Sequence, residues 1–275
     1  MSNTNAQRPW CSLITVTYNS SAALTEFWGK AGHPPMGIEW IVVDNGSTDG
    51  TQDVARKLGA TVIERDGNFG FSSSNNVGVE ASSGAFIGFV NPDISIDYRD
   101  LVGLRDLARD RSAIVSPQLL NADGTQQPNG RGYPFLVDKI RNRIAGDSRR
   151  PARYLLFGAG TEPRVVSWLM GASIFGMRES IDALGGWDSR FFLYYEDSDI
   201  CIRAWDLGID VLLAPKYRWL HGWARETSTA SATPWKREIS SMVKFYSRYP
   251  EFLLGTYAAG RRHPLLSRKL KAAHA

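Results

Sequence analysis

The sequence predicts an α/β fold: a mostly parallel central sheet covered by helices on both faces. Three observations predict it. Short runs rich in β-branched and aromatic residues recur through residues 1–120. Helix-length stretches of mixed polarity separate them. Polar, turn-forming residues follow each run, which in such sheets is the carboxyl edge where ligands bind.

Each element carries its own signal. Ser12–Thr17 (SLITVT) is apolar enough for a buried first strand, and Glu39–Asp44 (EWIVVD) for a second. Thr61–Arg65 reads as a third, Ala85–Asn91 (AFIGFVN) as a fourth, and Ala113–Ser116 as a weaker fifth. Helices are expected around 22–31, 51–59, 72–82 and 98–110. From Asn121 to Thr161, Gly, Pro, Asn and Arg break every period, which predicts a mobile loop or lid over the site. Val165–Ile174 is apolar again, and Ser180–Leu184 reads as a short helix stopped by Gly185 and Gly186. Glu196–Leu207 reads as a helix with Ile200, Ala204 and Leu207 on one face and Gly208 closing it. Ile209–Ala214 reads as a further strand.

Composition narrows the function. A chain of 275 residues, 43% of them hydrophobic, can bury a sizeable core, and a charged fraction of 22% excludes wholesale disorder. Lys and Arg number 32 against 28 Asp and Glu, a net charge of +4. That surplus allows an anionic partner without demanding nucleic acid, and none is expected. Two cysteines exclude a disulfide framework and a CxxC metal cluster. The first ten residues hold no apolar signal core, and no apolar run has membrane-spanning length. A cytoplasmic protein is expected, with the inner face of the membrane as its candidate surface.

Several common motifs are absent: no GxxxxGK[ST], no HExxH and no GxSxG. Gly158-Ala159-Gly160 lacks a third glycine and does not follow the first strand, so a dinucleotide fingerprint fails. Carboxylates remain as candidates for chemistry. Asp44, in VVDNGSTDGT, stands at a strand end where it can accept from a base or a ribose. In Asn91-Pro92-Asp93 the proline restrains the turn and holds the Asp93 carboxylate, a hard oxygen ligand, in a defined direction. Tyr195-Glu196-Asp197-Ser198-Asp199 places three carboxylates at an expected helix N-terminus, where the macrodipole offsets repulsion by about 0.3–1 kcal/mol per charge. Beside the aromatic run Phe191–Tyr195, a carboxyl with a raised pKa suits a general base. Each loop taken singly is equally readable as a capped turn. His221 gains weight only in combination with Asp93.

Together, TVTYNS (15–20), VVDNGSTDGT (42–51), NFGFSSSNNVGV (68–79), FVNPD (89–93), WLMGAS (168–173), GGWDSRFFLYYEDSDICIRA (185–204) and His221 resemble the family 2 glycosyltransferases of GT-A fold. The likeness is to the bacterial rhamnosyltransferase-like branch and spans about residues 12–225. It implies a Rossmann-like GT-A sheet with a smaller acceptor-side subregion. It also implies one domain over 1–257, with a nucleotide half at 12–117 and an acceptor half at 118–257, and a basic tail at 258–275.

The resemblance implies roles residue by residue. Thr17, Tyr18, Asn19, Asp44, Asn68, Gly70, Asn91 and Asn75 or Asn76 would line the nucleotide. Asp93 matches the last Asp of the family's DxD motif and, with His221, would hold Mg²⁺ or Mn²⁺; Asn91 stands where the first Asp would be. Trp168, Gly171 and Ala172 would border donor sugar and acceptor, with Arg225 as a second cation. Glu196 and Asp197 match the ED pair, with Asp197 as base. The implied activity is an inverting transfer of a sugar, with rhamnose a candidate, from a dTDP- or UDP-sugar to a glycan or polyprenyl-linked acceptor in cell-wall or polysaccharide biosynthesis. The alternative is a catalytically silent nucleotide-sugar or glycan-binding protein on the same fold. Trp187, Phe192 and Tyr194 are read either as sugar-stacking rings or as core. The tail, with Leu265, Leu266 and Leu270 among Arg261, Arg262, Arg268, Lys269 and Lys271, is read as a frayed end or as a peripheral membrane contact.

Overall fold

The computed structural model describes residues 8–144, 153–222 and 232–273. The strands are β1 (Cys11–Thr17), β2 (Ile38–Asp44), β3 (Thr61–Glu64), β4 (Phe86–Val90), β5 (Ile94–Ser95), β6 (Ala113–Leu120), β7 (Gly130–Arg131), β8 (Leu155–Leu156), β9 (Arg164–Val165), β10 (Trp168–Leu169), β11 (Ser173–Met177) and β12 (Asp210–His221). The helices begin with α1 (Ser21–Ala23), a π-helical turn (Leu24–Trp28) and α2 (Gly29–Ala31). There follow α3 (Thr51–Lys57), α4 (Phe71–Ala81), a 3₁₀ turn (Tyr98–Asp100) leading into α5 (Leu101–Asp110), α6 (Leu136–Ile144) and α7 (Arg178–Ala183). The last are α8 (Glu196–Asp206), α9 (Ala232–Arg248), α10 (Glu251–Leu254), α11 (Thr256–Arg262) and α12 (Pro264–Ala273).

A large sheet runs in the order β3-β2-β1-β4-β11-β6-β12-β5, with β9 also on β12. The pairs β1 with β2, β1 with β4, β2 with β3, and β6 with β12 are parallel. The strands are near-continuous apolar runs because both sheet faces are covered. Alternate residues feed two cores: Ile14, Ile87 and Phe89 enter one, and Leu13, Phe86 and Val90 the other. Stacked Trp28 and Trp40, 4.0 Å apart, fill the second. Gly88 leaves room for Phe175, whose ring a Cβ there would meet at 2.2 Å.

Three expectations change. Residues 121–161 do not form a lid where they are described. Asn129 is fully buried and its amide bonds Ser116 Oγ, Pro117 O, Leu119 N and Gln118 Nε2. This anchors a second, three-stranded sheet, β10-β7-β8. A polar residue that reads as loop is here a core connector because it satisfies strand-edge groups. Leu207 is 55% exposed: it caps α8 rather than joining Ile200 and Ala204 inside. The basic tail is helical, and Leu266 and Leu270 are buried in the same core as Ala259 and Phe252. Those two leucines are therefore unavailable to a membrane. Among the described residues no helix is long and apolar enough to cross one.

β11 is the element that the alternating pattern does not foretell. It runs antiparallel between β4 and β6 and brings Ala172 beside the end of β4. β12 is one long strand with a bulge between Ala214 and Arg218, joining the expected strand at 209–214 to His221.

Candidate active site

The carboxyl ends of β1, β2 and β4 form one edge. At β1, Thr17 is buried and donates to Asp44 Oδ1 at 2.8 Å. Asp44 also accepts from Ser47 N (2.9 Å), Ser47 Oγ (2.5 Å) and Gln52 Nε2 (2.7 Å). Those four bonds use the roughly four acceptor positions of a carboxylate. Asp44 therefore organises the loop, and a ligand would have to displace one of these donors to reach it. Tyr18 is half exposed beside it. Asn19 is in the left-handed region (φ 49°), and it stitches the two loops: its N–H donates to Ser47 Oγ and its Oδ1 accepts from Thr48 N.

Asn68 Oδ1 accepts from Gly70 N at 3.0 Å. Gly70 has φ 83°, and a Cβ there would lie 2.4 Å from the Phe192 carbonyl, so glycine is required. Phe71 N donates to that same carbonyl, which joins the start of α4 to the chain leading into α8. Asn75 is buried and donates to Phe71 O, one turn back in its own helix. Asn76 spends both ends of its amide on Trp187, donating to its carbonyl at 2.7 Å and accepting from its N–H at 2.9 Å. Asn76 thus clamps α4 to the 185–187 turn.

Asn91 donates its N–H to Ala172 O, and its own carbonyl accepts from Trp28 Nε1. Two residues on, Asp93 meets His221 because β5 pairs antiparallel with the end of β12. His221 Nε2 lies 3.5 Å from Asp93 Oδ2. His221 Nδ1 faces Gln127 Oε1 at 2.7 Å. Gln127 Nε2 donates to the oxygens of His221 and Asn121, which fixes its amide orientation. Oε1 can only accept, so Nδ1 carries a proton, and the ring is held with Nε2 facing Asp93. One carboxylate oxygen and one imidazole nitrogen, the ring held in place by Gln127, fit a divalent cation that takes its remaining ligands from elsewhere. Among the described residues no cluster of three His, Cys, Asp or Glu is present. Diphosphate oxygens and water would have to complete the coordination.

Gly171 connects this edge to the ED pair. Its N–H donates to Asp197 Oδ2 at 3.3 Å, and a Cβ there would sit 3.5 Å from Asp197 Cβ. Ala172, the next residue, is the one bonded by Asn91. Two hydrogen bonds, Asn91 N–H to Ala172 O and Gly171 N–H to Asp197 Oδ2, thus tie the Asn91–Asp93 turn to the ED pair through the adjacent residues Gly171 and Ala172. Asp197 Oδ1 also accepts from Ser198 N at 2.7 Å. Its carboxyl is held above the ordinary range by burial, although Lys139 and its backbone N–H bonds act against that. Glu196 is buried, and burial together with the Asp197 charge pushes its carboxyl well above 4.5. Its Oε2 has no hydrogen-bond partner among the described residues. The two acids are therefore unequal: Asp197 is half-buried and hydrogen-bonded, and Glu196 is enclosed. The third, Asp199, is fully buried and structural, accepting from Arg203 (2.8 Å) and Tyr249 (3.0 Å) and pairing with Arg248 (3.0 Å).

The pair is preceded by Tyr194 (φ 71°) and Tyr195 (φ 68°). Left-handed backbone costs an L-residue about 1–2 kcal/mol, and such strain persists only where packing over-determines it. Here Tyr195 is held by Phe245 and Tyr246 of α9.

The residues that sequence reasoning missed come from the segment read as a lid. Lys139 of α6 donates to Ser198 Oγ at 3.0 Å and lies 3.7 Å over Tyr195 and 4.6 Å over Trp168. Burial lowers its pKa to about 8 against the pull of Asp197 and Glu196. Arg131 of β7 is buried 5.7 Å from both Tyr154 and Trp168. Trp168 is itself buried, and so is Trp187, which packs edge-on against Phe71 and Phe89. Phe192 and Tyr194 are half-buried. No motif marks Lys139; only tertiary contact reveals it. Arg225 lies outside the described residues.

Comparison with known proteins identifies the family and the fold. Residues 12–183 match the family described as Glycosyl transferase family 2. An N-acetylglucosaminyl-diphospho-decaprenol L-rhamnosyltransferase of Mycobacterium tuberculosis is 27% identical over 244 residues, covering 80% of this chain and 78% of its own. Rhamnosyltransferase WbbL of Escherichia coli is 22% identical over 192 residues, covering 66% and 72%. Among solved structures, GalNAc-T7 with UDP, GalNAc and Mn²⁺ superposes with a TM-score of 0.61 at 16% identity, over 98% of this chain but 55% of its own. The mannosyltransferase PcManGT of Pyrobaculum calidifontis, with GDP-Man and Mn²⁺, gives 0.58 at 18% identity over 97% and 74%. The fold is that of the GT-A glycosyltransferases, and the chain belongs to glycosyl transferase family 2, resembling its rhamnosyltransferase-like branch.

Proposed function

We propose that the protein transfers a sugar, with rhamnose the leading candidate, from a nucleoside diphosphate donor to a hydroxyl of a lipid-linked acceptor, inverting the anomeric carbon. Residues 12–117 bind the nucleotide and 118–257 the acceptor. The observation that carries this reading is the Asp197 carboxylate, half-buried and oriented by Gly171 N–H and Ser198 N–H, one strand edge away from the Asp93–His221 pair. Asp197 takes the proton of the acceptor hydroxyl as that oxygen bonds to C1 and the bond from C1 to the diphosphate oxygen breaks. Its raised pKa brings its proton affinity nearer that needed of a base. Asp93 and His221 would hold Mg²⁺ or Mn²⁺, which when bound supplies charge neutralisation for the leaving diphosphate. Lys139 and Arg131 offset the charge of the carboxylates from the acceptor side. The lipid-linked acceptor is drawn from the diphospho-decaprenol relative.

A thermal-shift screen of dTDP, UDP and their sugars, with and without Mn²⁺, identifies the donor, since a ligand of the native state raises Tm. With that donor, Asp197→Asn should lose about 10²–10⁴-fold in turnover while its nucleotide affinity is unchanged. Near-normal turnover of the variant would refute the base assignment.

A further inference from the structure

A groove unconnected with the nucleotide edge runs between α6 and the C-terminal helices. Its larger part, about 760 Å³, is lined by Tyr133, Phe135, Asp138, Tyr257, Arg261 and Leu270. A second part of about 490 Å³ shares Phe135, Arg153 and Thr256 with it and adds Ile140, Arg141 and Leu253. The two parts therefore form one trough of the size that holds a small-molecule ligand. Its floor is aromatic and aliphatic. Among the described residues its charged groups are Arg141, Arg153, Arg261 and Lys271 against one carboxylate, Asp138. That carboxylate is already bound by Arg153 Nε (3.1 Å) and Nη2 (3.0 Å). An apolar trough with a cationic rim complements an amphiphile with an anionic head. A free glycan would find little there to hydrogen-bond.

The trough backs onto the site across α6. Lys139 of α6 reaches Ser198 beside the ED pair, while Val137 and Ile140 of the same helix are half exposed on the groove side. At 100° per residue, Val137 and Lys139 point nearly opposite ways, so one helix diameter, about 10 Å, separates groove from carboxylates. In β7, Arg131 lies at the site and the next residues, Gly132 and Tyr133, line the trough.

We propose that this groove is the acceptor's lipid site: it takes the proximal prenyl units of a lipid diphosphate on Tyr133, Phe135 and Tyr257, with the diphosphate against Arg261 and Lys271. This rests on the transferase reading above and specifies where its acceptor sits. The probe is farnesyl diphosphate, titrated calorimetrically into the full chain in EDTA so that a metal-dependent nucleotide site cannot compete for the diphosphate. Farnesyl diphosphate should bind at least tenfold more tightly than either farnesol or inorganic diphosphate. The exposed-residue variant Tyr257→Glu/Arg261→Glu should weaken it at least tenfold and leave nucleoside diphosphate binding with Mn²⁺ unchanged. Equal affinity for inorganic diphosphate, or no effect of the variant, overturns the proposal. So does a variant that loses binding to phosphatidylglycerol vesicles yet keeps farnesyl diphosphate, because the face would then be a bilayer dock. If farnesyl diphosphate binds as expected but no nucleoside diphosphate does, the groove stands and the transferase reading fails.

Discussion

Gln127 and His221 grip each other at both ends across 94 residues of sequence: Oε1 of the glutamine meets Nδ1 of the imidazole at 2.7 Å, and its Nε2 returns to the histidine carbonyl at 3.1 Å. The ring's direction toward Asp93 follows from that grip. It works because β12 carries His221 to the end of β6, and residues 121–129 fold back along the same edge.

Gln127→Ala should therefore release the ring. Losing the partner that orients a metal-binding imidazole typically costs about 10–100-fold in metal affinity. Nucleoside diphosphate binding should weaken by that factor with Mn²⁺ present and stay unchanged in EDTA. Titration of the folded variant, its secondary structure checked by circular dichroism, measures both. Equal Mn²⁺ dependence in variant and wild type would show that the ring needs no such partner.

The enclosed Glu196 carries a stability cost whose sign is fixed by its raised pKa. Between the unfolded value, ordinarily 4.5, and the higher folded one, the native state holds more protons than the unfolded state. Stability then falls as pH rises through that window. Glu196→Gln, which mimics the protonated acid, should melt with wild type below pH about 4.5 and above it at neutral pH. Lys139→Met, which strips the nearby cation, should shift Tm the other way at neutral pH. Thermal melts across pH decide; a Gln variant less stable at neutral pH would contradict the burial argument.

His263 pins the C-terminal helices. Its Nδ1 faces Asp206 at 2.6 Å and its Nε2 faces Glu251 at 2.7 Å, with the ring stacked 5.4 Å from Phe252. Burial alone would lower its pKa, but the two carboxylates outweigh that and hold it above 6.5. The stabilisation is complete below the unfolded value and disappears as pH rises through the folded one. His263→Gln should lower Tm most at pH about 6 and progressively less on raising the pH above the folded value. A difference in Tm that does not vary with pH would mean that the imidazolium contributes nothing beyond packing.

Much of the N-terminal half was legible because local and tertiary demands agree there. SLITVT and EWIVVD are strands buried on both faces, so they need no partner to declare themselves. The loops that follow them must turn sharply, and Asn19, Gly46 and Gly70 mark the positive φ angles involved. The acid motifs were legible as a pattern, but their division of labour was not. Asp197, Glu196 and Asp199 differ only in what other segments bring to them: the Gly171 N–H to the first, enclosure to the second, and Arg203, Arg248 and Tyr249 to the third.

The segment over residues 121–161 is less legible for a related reason. Polar residues such as Gln127 and Asn129 read as loop, yet each is buried with its amide bonded to backbone and side-chain groups. The strand-and-helix alternation, the polar turns at one sheet edge and the residues that carry the family likeness can be read from the chain alone, since periodicity and turn chemistry are local properties. That β11 enters antiparallel, that Lys139 sits beside the ED pair and that Leu266 and Leu270 face inward emerges only on folding. Those outcomes depend on which distant surfaces exclude water together, and burial is a property of the assembled chain rather than of any one segment.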